Sequence, residues 1–346
     1  MKRTARTFTA FVALAGLALL AASVPAAAQK SWDGDHDWRS FKTEDIVKTL
    51  KFADPAKSGE LIVDNIFGPI SVEAYAGKDV LLQARKVVYA RDEERAKKAE
   101  DEVKLDITEK GNTVEAYVDG PFREDEKEGG RGGFHSHRDP GYKVHYGFTI
   151  KVPLKTNLVL HTVLDGDVEV RGVEGTFDVH NVNGKVRLID AAGSGDAETV
   201  NGGVTVAFRS HPDGPCLFKT INGDVEVDFP VPPSADFRVK TMHGEIYTDF
   251  DVTSLPKAPP VREERGDKGG KYIYRSDGFN GVRAGKGGPE IKLETLNGDI
   301  LIAKRSKSTP SAPRSEARGT LGVNTERRFH ARFVKSGLAP ANVSSS

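Results

Sequence analysis

A single cysteine, Cys216, stands in this chain of 346 residues. It therefore forms no disulfide within the chain and belongs to no cysteine cluster of metal-binding or redox spacing. No GxSxG, no cysteine with a positioned histidine, no HExxH and no phosphate-cradling glycine loop occurs, which removes the common nucleophilic, zinc-hydrolase and nucleotide-binding signatures. Beyond the first 28 residues no apolar run is long enough to span a bilayer. Net charge is also absent, with fifty basic residues against fifty acidic. That balance is uneven along the chain. Residues 303–346 carry nine basic and two acidic residues and the first 28 carry Lys2, Arg3 and Arg6, which leaves residues 29–302 ten charges net negative. An acidic body makes nucleic acid an improbable partner.

What is abundant is glycine at regular intervals. Residues 218–229 read FKTINGDVEVDF, two short alternating runs meeting at Asn222-Gly223, and the pattern returns. Copies lie at 179–188 (VHNVNGKVRL), 197–208 (AETVNGGVTVAF), 239–250 (VKTMHGEIYTDF) and 293–302 (LETLNGDILI), with looser ones at 160–170 (LHTVLDGDVEV) and 61–72 (LIVDNIFGPISV). The turn glycines 166, 184, 202, 223 and 244 are 18, 18, 21 and 21 residues apart, a repeat period. Two and four residues after the turn glycines stand Val168 and Val170, Val186 and Leu188, Val204 and Val206, Val225 and Val227, Ile246 and, as the exception, Thr248, and Ile300 and Ile302, with mostly charged or polar residues between. That alternation is the half-buried strand signal. Threonine recurs three residues before the glycine, as Thr199, Thr220, Thr241 and Thr295.

Asn-Gly between alternating runs is on its own a hairpin signal, which would build an antiparallel β-sandwich. The alternative is an all-β, single-chain parallel β-solenoid (β-helix) with 18–21-residue coils, in which Asn-Gly is a corner. The recurrence of one residue type at one register favours the solenoid. It makes Asn183, Gly184, Asn201, Gly202, Asn222, Gly223, Asn297 and Gly298 structural corners, with the asparagines laddered at about 4.8 Å. A second corner is expected at 172–175, 193–195, 212–215 and 230–233, which are rich in glycine or proline.

The TVNG and DVEV segments, the GVEG spacer at 172–175 and the final GGPEIKLETLNGDI coil resemble the bacterial "putative adhesin" family of β-strand repeats. The resemblance spans residues 44–302 and implies a single-chain parallel β-helix. Phe67-Gly68 and Met242-His243-Gly244 depart from the corner pattern.

Residues 1–28 have the basic start, apolar centre and small-residue end of a secretory signal peptide, so the expected location is exported: periplasm, cell surface or extracellular. Residues 29–43 read as a polar arm and 44–302 as the repeat domain, with insertions at 119–141 and 253–288. Residues 303–346 have the composition of a basic disordered tail, suited to an anionic surface. Residues 90–103 predict one short helix near the N-terminal end, with Glu93 and Glu94 spaced to pair with Lys97 and Lys98, covering one end of the stack. Cys216 falls seven residues before its turn glycine, where other copies carry Phe177, Phe237 and Ile291; that register points inward and makes it an inert core thiol.

The chemistry on offer is sparse. His135 and His137, with His145 nearby, form a weak metal motif without a placed third ligand. Asp165-Gly166-Asp167 lacks the longer calcium-repeat context. Asp224, Glu226, Asp228, Glu245 and Asp249 follow their turn glycines on one outward face, a possible ligand face on which Asp224 and Glu245 are expected to be neighbours about 5 Å apart. No catalytic residue and no cofactor is assigned. The expected function is an exported non-enzymatic module, adhesin-like or structural, binding an extended cell-envelope polymer or surface glycan. The alternatives are an envelope-stress signalling accessory and a polysaccharide-active β-helix enzyme.

Overall fold

The structure is a computed structural model that describes residues 38–123, 140–256, 261–264, 272–275 and 278–305. The signal-peptide stretch, His135 and His137, most of the 119–141 insertion and the tail past residue 305 lie outside the described residues. The chain begins with β1 (Arg39–Lys51), β2 (Gly59–Asp64), β3 (Ile70–Tyr75) and β4 (Asp79–Ala90), then α1 (Glu93–Glu102), β5 (Lys104–Lys110), β6 (Thr113–Asp119) and β7 (Tyr142–Pro153). The regular copies follow as pairs: β8 (Thr156–His161) with β9 (Val168–Arg171), β10 (Phe177–His180) with β11 (Val186–Ala191), β12 (Gly195–Glu198) with β13 (Val204–Phe208), β14 (Cys216–Lys219) with β15 (Val225–Phe229), and β16 (Ala235–His243) with β17 (Ile246–Thr248). The second insertion contributes β18 (Val252–Ser254), β19 (Val261–Glu264), β20 (Tyr272–Arg275) and β21 (Asn280–Ala284), and the last copy is β22 (Glu290–Asn297) with β23 (Ile300–Lys304). The strand β1 starts inside the stretch expected as a polar arm, because its first residues pair with the end of β4.

Among the described residues the architecture is all-β with one short helix and two large mixed sheets, neither closed into a barrel. One sheet runs β1-β4-β7-β3-β9-β11-β13-β15-β23-β17 and the other β18-β21-β16-β22-β14-β12-β10-β8-β2-β6-β5, while β19 and β20 pair as a separate hairpin. The two strands flanking Asn183-Gly184 belong to different sheets. Asn-Gly therefore carries the chain from one sheet to the other instead of closing a hairpin, and the antiparallel-sandwich alternative does not describe the copies. Within each sheet, neighbouring copies run parallel and in register, for example Val168, Val186, Val204 and Val225 in one row and Leu160, Val179, Ala197 and Phe218 in another. Among the described residues, antiparallel pairing occurs in the two sheets at β1-β4-β7, β5-β6 and β18-β21-β16, and in the separate β19-β20 hairpin.

Alternation decides what is buried. Val186, Leu188, Val204, Val206, Val225 and Val227 are fully buried between the sheets, each worth roughly 1.5–3 kcal/mol over an exposed position. Aromatic rings fill one lane of the core, with Phe208 on Phe229 at 5.3 Å and Phe177 on Phe218 at 6.4 Å between centroids. Cys216 lies in this core, as its register predicts, and burial pushes its thiol up to about 11.

The stacking order departs from chain order. The last copy does not add to the end; β22 inserts between β14 and β16, and β23 between β15 and β17. Asp224 and Glu245 are therefore not neighbours, since Asp299 separates them. All copies offer the same inward rows, Cys216-Ile291-Phe237 and Phe218-Leu293-Val239, so packing accepts the late strand as readily as the sequential one. The five residues from Gly285 to Pro289 carry the chain from β21 to β22 past the start of β16. Gly287 has φ of 76°, and a Cβ on Gly288 would meet the Ser234 carbonyl oxygen at 2.3 Å, so the close passage needs glycine there.

At the other end, α1 connects the two sheets and packs Ala96 and Ala99 into the core against β4 and β7. Asp92 is its N-cap, accepting the Arg95 N–H at 2.9 Å. Its ion pairs run Lys98 to Glu102 at 3.7 Å and across to Lys42 of β1 from Glu100 at 2.9 Å, rather than from Glu93 and Glu94 to Lys97 and Lys98. Lys86 occupies an inward position of β4 under the helix. Its ammonium reaches the Val103 carbonyl at 3.4 Å, and burial lowers its pKa.

Candidate functional site

The Asn-Gly corners form the most ordered polar feature of the surface. Asn201 Nδ2 donates to Asn183 Oδ1 at 2.7 Å, Asn222 to Asn201 at 2.8 Å and Asn297 to Asn222 at 2.8 Å, and His243 Nδ1 meets Asn297 Oδ1 at 3.1 Å. An amide side chain can donate upward and accept from below at once, which is why one residue type recurs. The threonines three residues before the glycine point inward and close the same corner. Thr199, Thr220, Thr295 and Thr241 each donate a hydroxyl to the turn-glycine carbonyl of the copy beside them, at 2.7 to 2.9 Å. In the Asn181 copy the amide does this work, donating to the Gly166 carbonyl at 2.9 Å. The corner glycines are forced by proximity: a Cβ on Gly223 would lie 2.1 Å from the Gly202 carbonyl oxygen.

Directly before each corner asparagine stands an apolar residue. The asparagine bridges and backbone hydrogen bonds align Val163, Val182, Val200, Ile221 and Leu296 in one column, and the pairing of β16 with β22 sets Met242 beside Leu296. Ile221 is 37 % exposed, Leu296 39 % and Met242 65 %. These large side chains face water beside the hydrogen-bonding ladder. The repeat alignment carries this signal in the V, V, I, M and L before the corners.

That charged face is placed as follows. Asp224, Asp299 and Glu245 form a row after the corner, and the like charges are offset by backbone amides: Asp224 Oδ1 accepts the Asp299 N–H and Asp299 Oδ1 the Glu245 N–H, both at 2.8 Å. Asp167 does the same for Lys185 at 2.8 Å, so its aspartate serves the corner. Glu245 also accepts from the Tyr247 hydroxyl at 2.6 Å. Glu226 lies in a row with Thr205 and Leu301, Asp228 with Ala207 and Ala303, and Asp249 accepts the Lys304 N–H at 3.1 Å. The five residues share one sheet, but the inserted β23 divides them.

On the other sheet, an outward row missed by sequence reasoning runs Asp64, His161, His180, Glu198, Lys219, Glu294 and Lys240. Ion pairs occupy its flanks, Arg123 with Asp64 at 3.0 Å, Lys219 with Glu198 at 3.8 Å and Lys240 with Glu294 at 2.8 Å. Its centre holds two imidazoles, with Asp178 beside His180 at 2.6 Å. His145 lies elsewhere, on β7, its Nε2 within 3.3 Å of the Asp165 carbonyl oxygen; burial lowers its pKa. Among the described residues no helix is long and apolar enough to cross a membrane.

No family model and no curated protein matches the chain. Among solved structures it is similar to a "putative cell adhesion protein" from Clostridium sporogenes, at 13 % identity and a TM-score of 0.36 over 76 % of this chain and 100 % of that one. A "putative adhesin" from Bacteroides fragilis is similar at 11 % identity and a TM-score of 0.33, over 76 % and 97 % of the two chains. A "putative lipid binding protein" from Parabacteroides distasonis follows at 10 % identity and 0.23, over the same shares. Likeness at this level fixes neither ligand nor activity.

Proposed function

We propose that this protein is an exported, adhesin-like binding module of the cell envelope, built as a β-solenoid, that docks an extended envelope polymer or surface glycan along its Asn-Gly corner. The observation that carries the reading is the exposed column Ile221, Leu296 and Met242 beside the Asn183-Asn201-Asn222-Asn297 ladder. Parallel pairing repeats each side chain at the strand spacing of about 4.8 Å, so a chain-like ligand meets the same apolar and amide pair at every step, and weak contacts accumulate along it. Sugar rings present one apolar face and hydroxyl edges, and the column supplies a partner for each. The aspartates at the corners are committed to backbone N–H groups, which favours a structural role for them over acid–base chemistry.

The experiment is retention of the purified exported chain on immobilised envelope polysaccharide fractions. The wild type is expected to bind at least one, and Ile221→Thr with Leu296→Thr, which sets two uncharged residues side by side, is expected to abolish retention with little change in the melting temperature. No retention on any fraction, or full retention by the double variant, refutes the assignment.

A further inference from the structure

We propose that His161, Asp178 and His180, on the outer face of β8 and β10, form a binding site for a divalent transition-metal ion, with the donor set and geometry of a zinc site. The two histidines are directly opposed across parallel strands, and Asp178 stands two residues before His180 on the same face. The imidazole rings are 5.2 Å apart between centroids at an interplanar angle of 73°, and one donor atom from each of the three residues lies within 4.8 Å of the others. Zinc–nitrogen and zinc–oxygen bonds of about 2.0–2.2 Å in a tetrahedron set donors roughly 3.3–3.6 Å apart. Modest side-chain rotation closes that difference, and the backbone need not move.

A structural ion pair between Asp178 and His180 accounts for only two of the three groups. The Nε2 atom of His161 is buried and has no hydrogen-bond partner among the described residues. Leaving such an atom unpaired costs about 1–3 kcal/mol, and a metal ion is a partner that fits it. Asp196 of β12 is paired in register with Asp178 and adds negative charge beside the site, while Asp64 of β2, in register with His161, is already ion-paired to Arg123 at 3.0 Å. The site is mounted on paired strands in mid-sheet, where backbone positions are held on both sides. Two imidazoles and a carboxylate are ligands for Zn²⁺ and, on intrinsic affinity, for Ni²⁺ or Cu²⁺; three protein ligands leave the fourth position open to water or to a donor from a bound molecule.

The test uses the tag-free, full exported chain after chelator treatment, titrated with Zn²⁺ in a calorimeter, with Co²⁺ absorption as a second readout of tetrahedral coordination. One equivalent is expected to bind. His180→Ala is expected to weaken it by about 100-fold or more and Asp178→Asn by at least about 10-fold, both at half-buried positions on the outward face of β10, where metal-free melting should change little. The double variant His135→Ala/His137→Ala is expected to bind as the wild type does. Zinc affinity weaker than about 1 mM, or unchanged affinity in His180→Ala, or loss only in the His135/His137 variant, overturns the proposal.

Discussion

Replacing Thr220 by valine removes one hydroxyl and almost no volume, and the structure sets what that should cost. Thr220 is 1 % exposed and donates to the Gly202 carbonyl at 2.7 Å, across the corner between two copies. Losing a neutral hydrogen bond costs about 1 kcal/mol net, and stranding a buried carbonyl adds a desolvation penalty, for a total near 2 kcal/mol. For a domain of this size about 1 kcal/mol moves the melting temperature by roughly 2–4 °C, so Thr220→Val should melt about 4–8 °C below wild type. Thr205→Val is the matched control. Thr205 faces outward on β13, and valine is the better strand former, so its melting temperature should hold or rise slightly. Thermal unfolding by circular dichroism, with chemical denaturation for the free energy, measures both. If Thr220→Val melts with the wild type, or both variants fall alike, the threonines are not what hold adjacent corners together.

The Cys216 thiol is buried in the core with its pKa pushed up to about 11, so at pH 8 a thiol-labelling reagent should modify it only at the rate of unfolding; prompt labelling of native protein would contradict its placement. The pKa of Lys86 is lowered, chiefly by burial, so below its unfolded value near 10.5 the unfolded chain binds more protons than the folded one, and stability should rise with pH towards that value. Lys86→Met should abolish this rise, which denaturation of both proteins between pH 7 and 10 would reveal as a difference that shrinks with pH; a constant difference would refute it.

Much of the fold can be read from residue spacing, because a buried row demands the same side-chain type at every copy. Val168, Val186, Val204 and Val225 share a face for that reason, and Asn183, Asn201 and Asn222 share a corner because a self-complementary amide stacks on itself. The same uniformity hides the order of stacking. Ile291 and Leu293 suit the groove beside Cys216 and Phe218 as well as Phe237 and Val239 do, so nothing local marks the last copy as the one that goes in between. The acidic face differs from chain order in consequence, since Asp299 takes the place beside Asp224 that chain order assigns to Glu245. The histidine cluster is hidden from the sequence for a different reason. His161 and His180 are a full copy apart in LHTV and VHNV, and only strand pairing brings them to one point, whereas the short His135-Ser136-His137 motif is visible without any fold.

The insertion of β22 and β23 has a bearing on how the molecule can be made. As the chain emerges from synthesis or export, the copies through Phe229 can settle one on another as they appear. The segment from Ala235 to Thr248 then lacks its native seat, which is formed by residues 290–304, still unmade. Until those arrive, β14 and β15 present bare strand edges, the kind that recruit foreign strands. Completion is therefore a closing wedge and not a last brick. A chain that stops short of residue 290 forfeits two copies, its own missing one and the one before it, and should surface as an aggregating fragment instead of a slightly shorter protein.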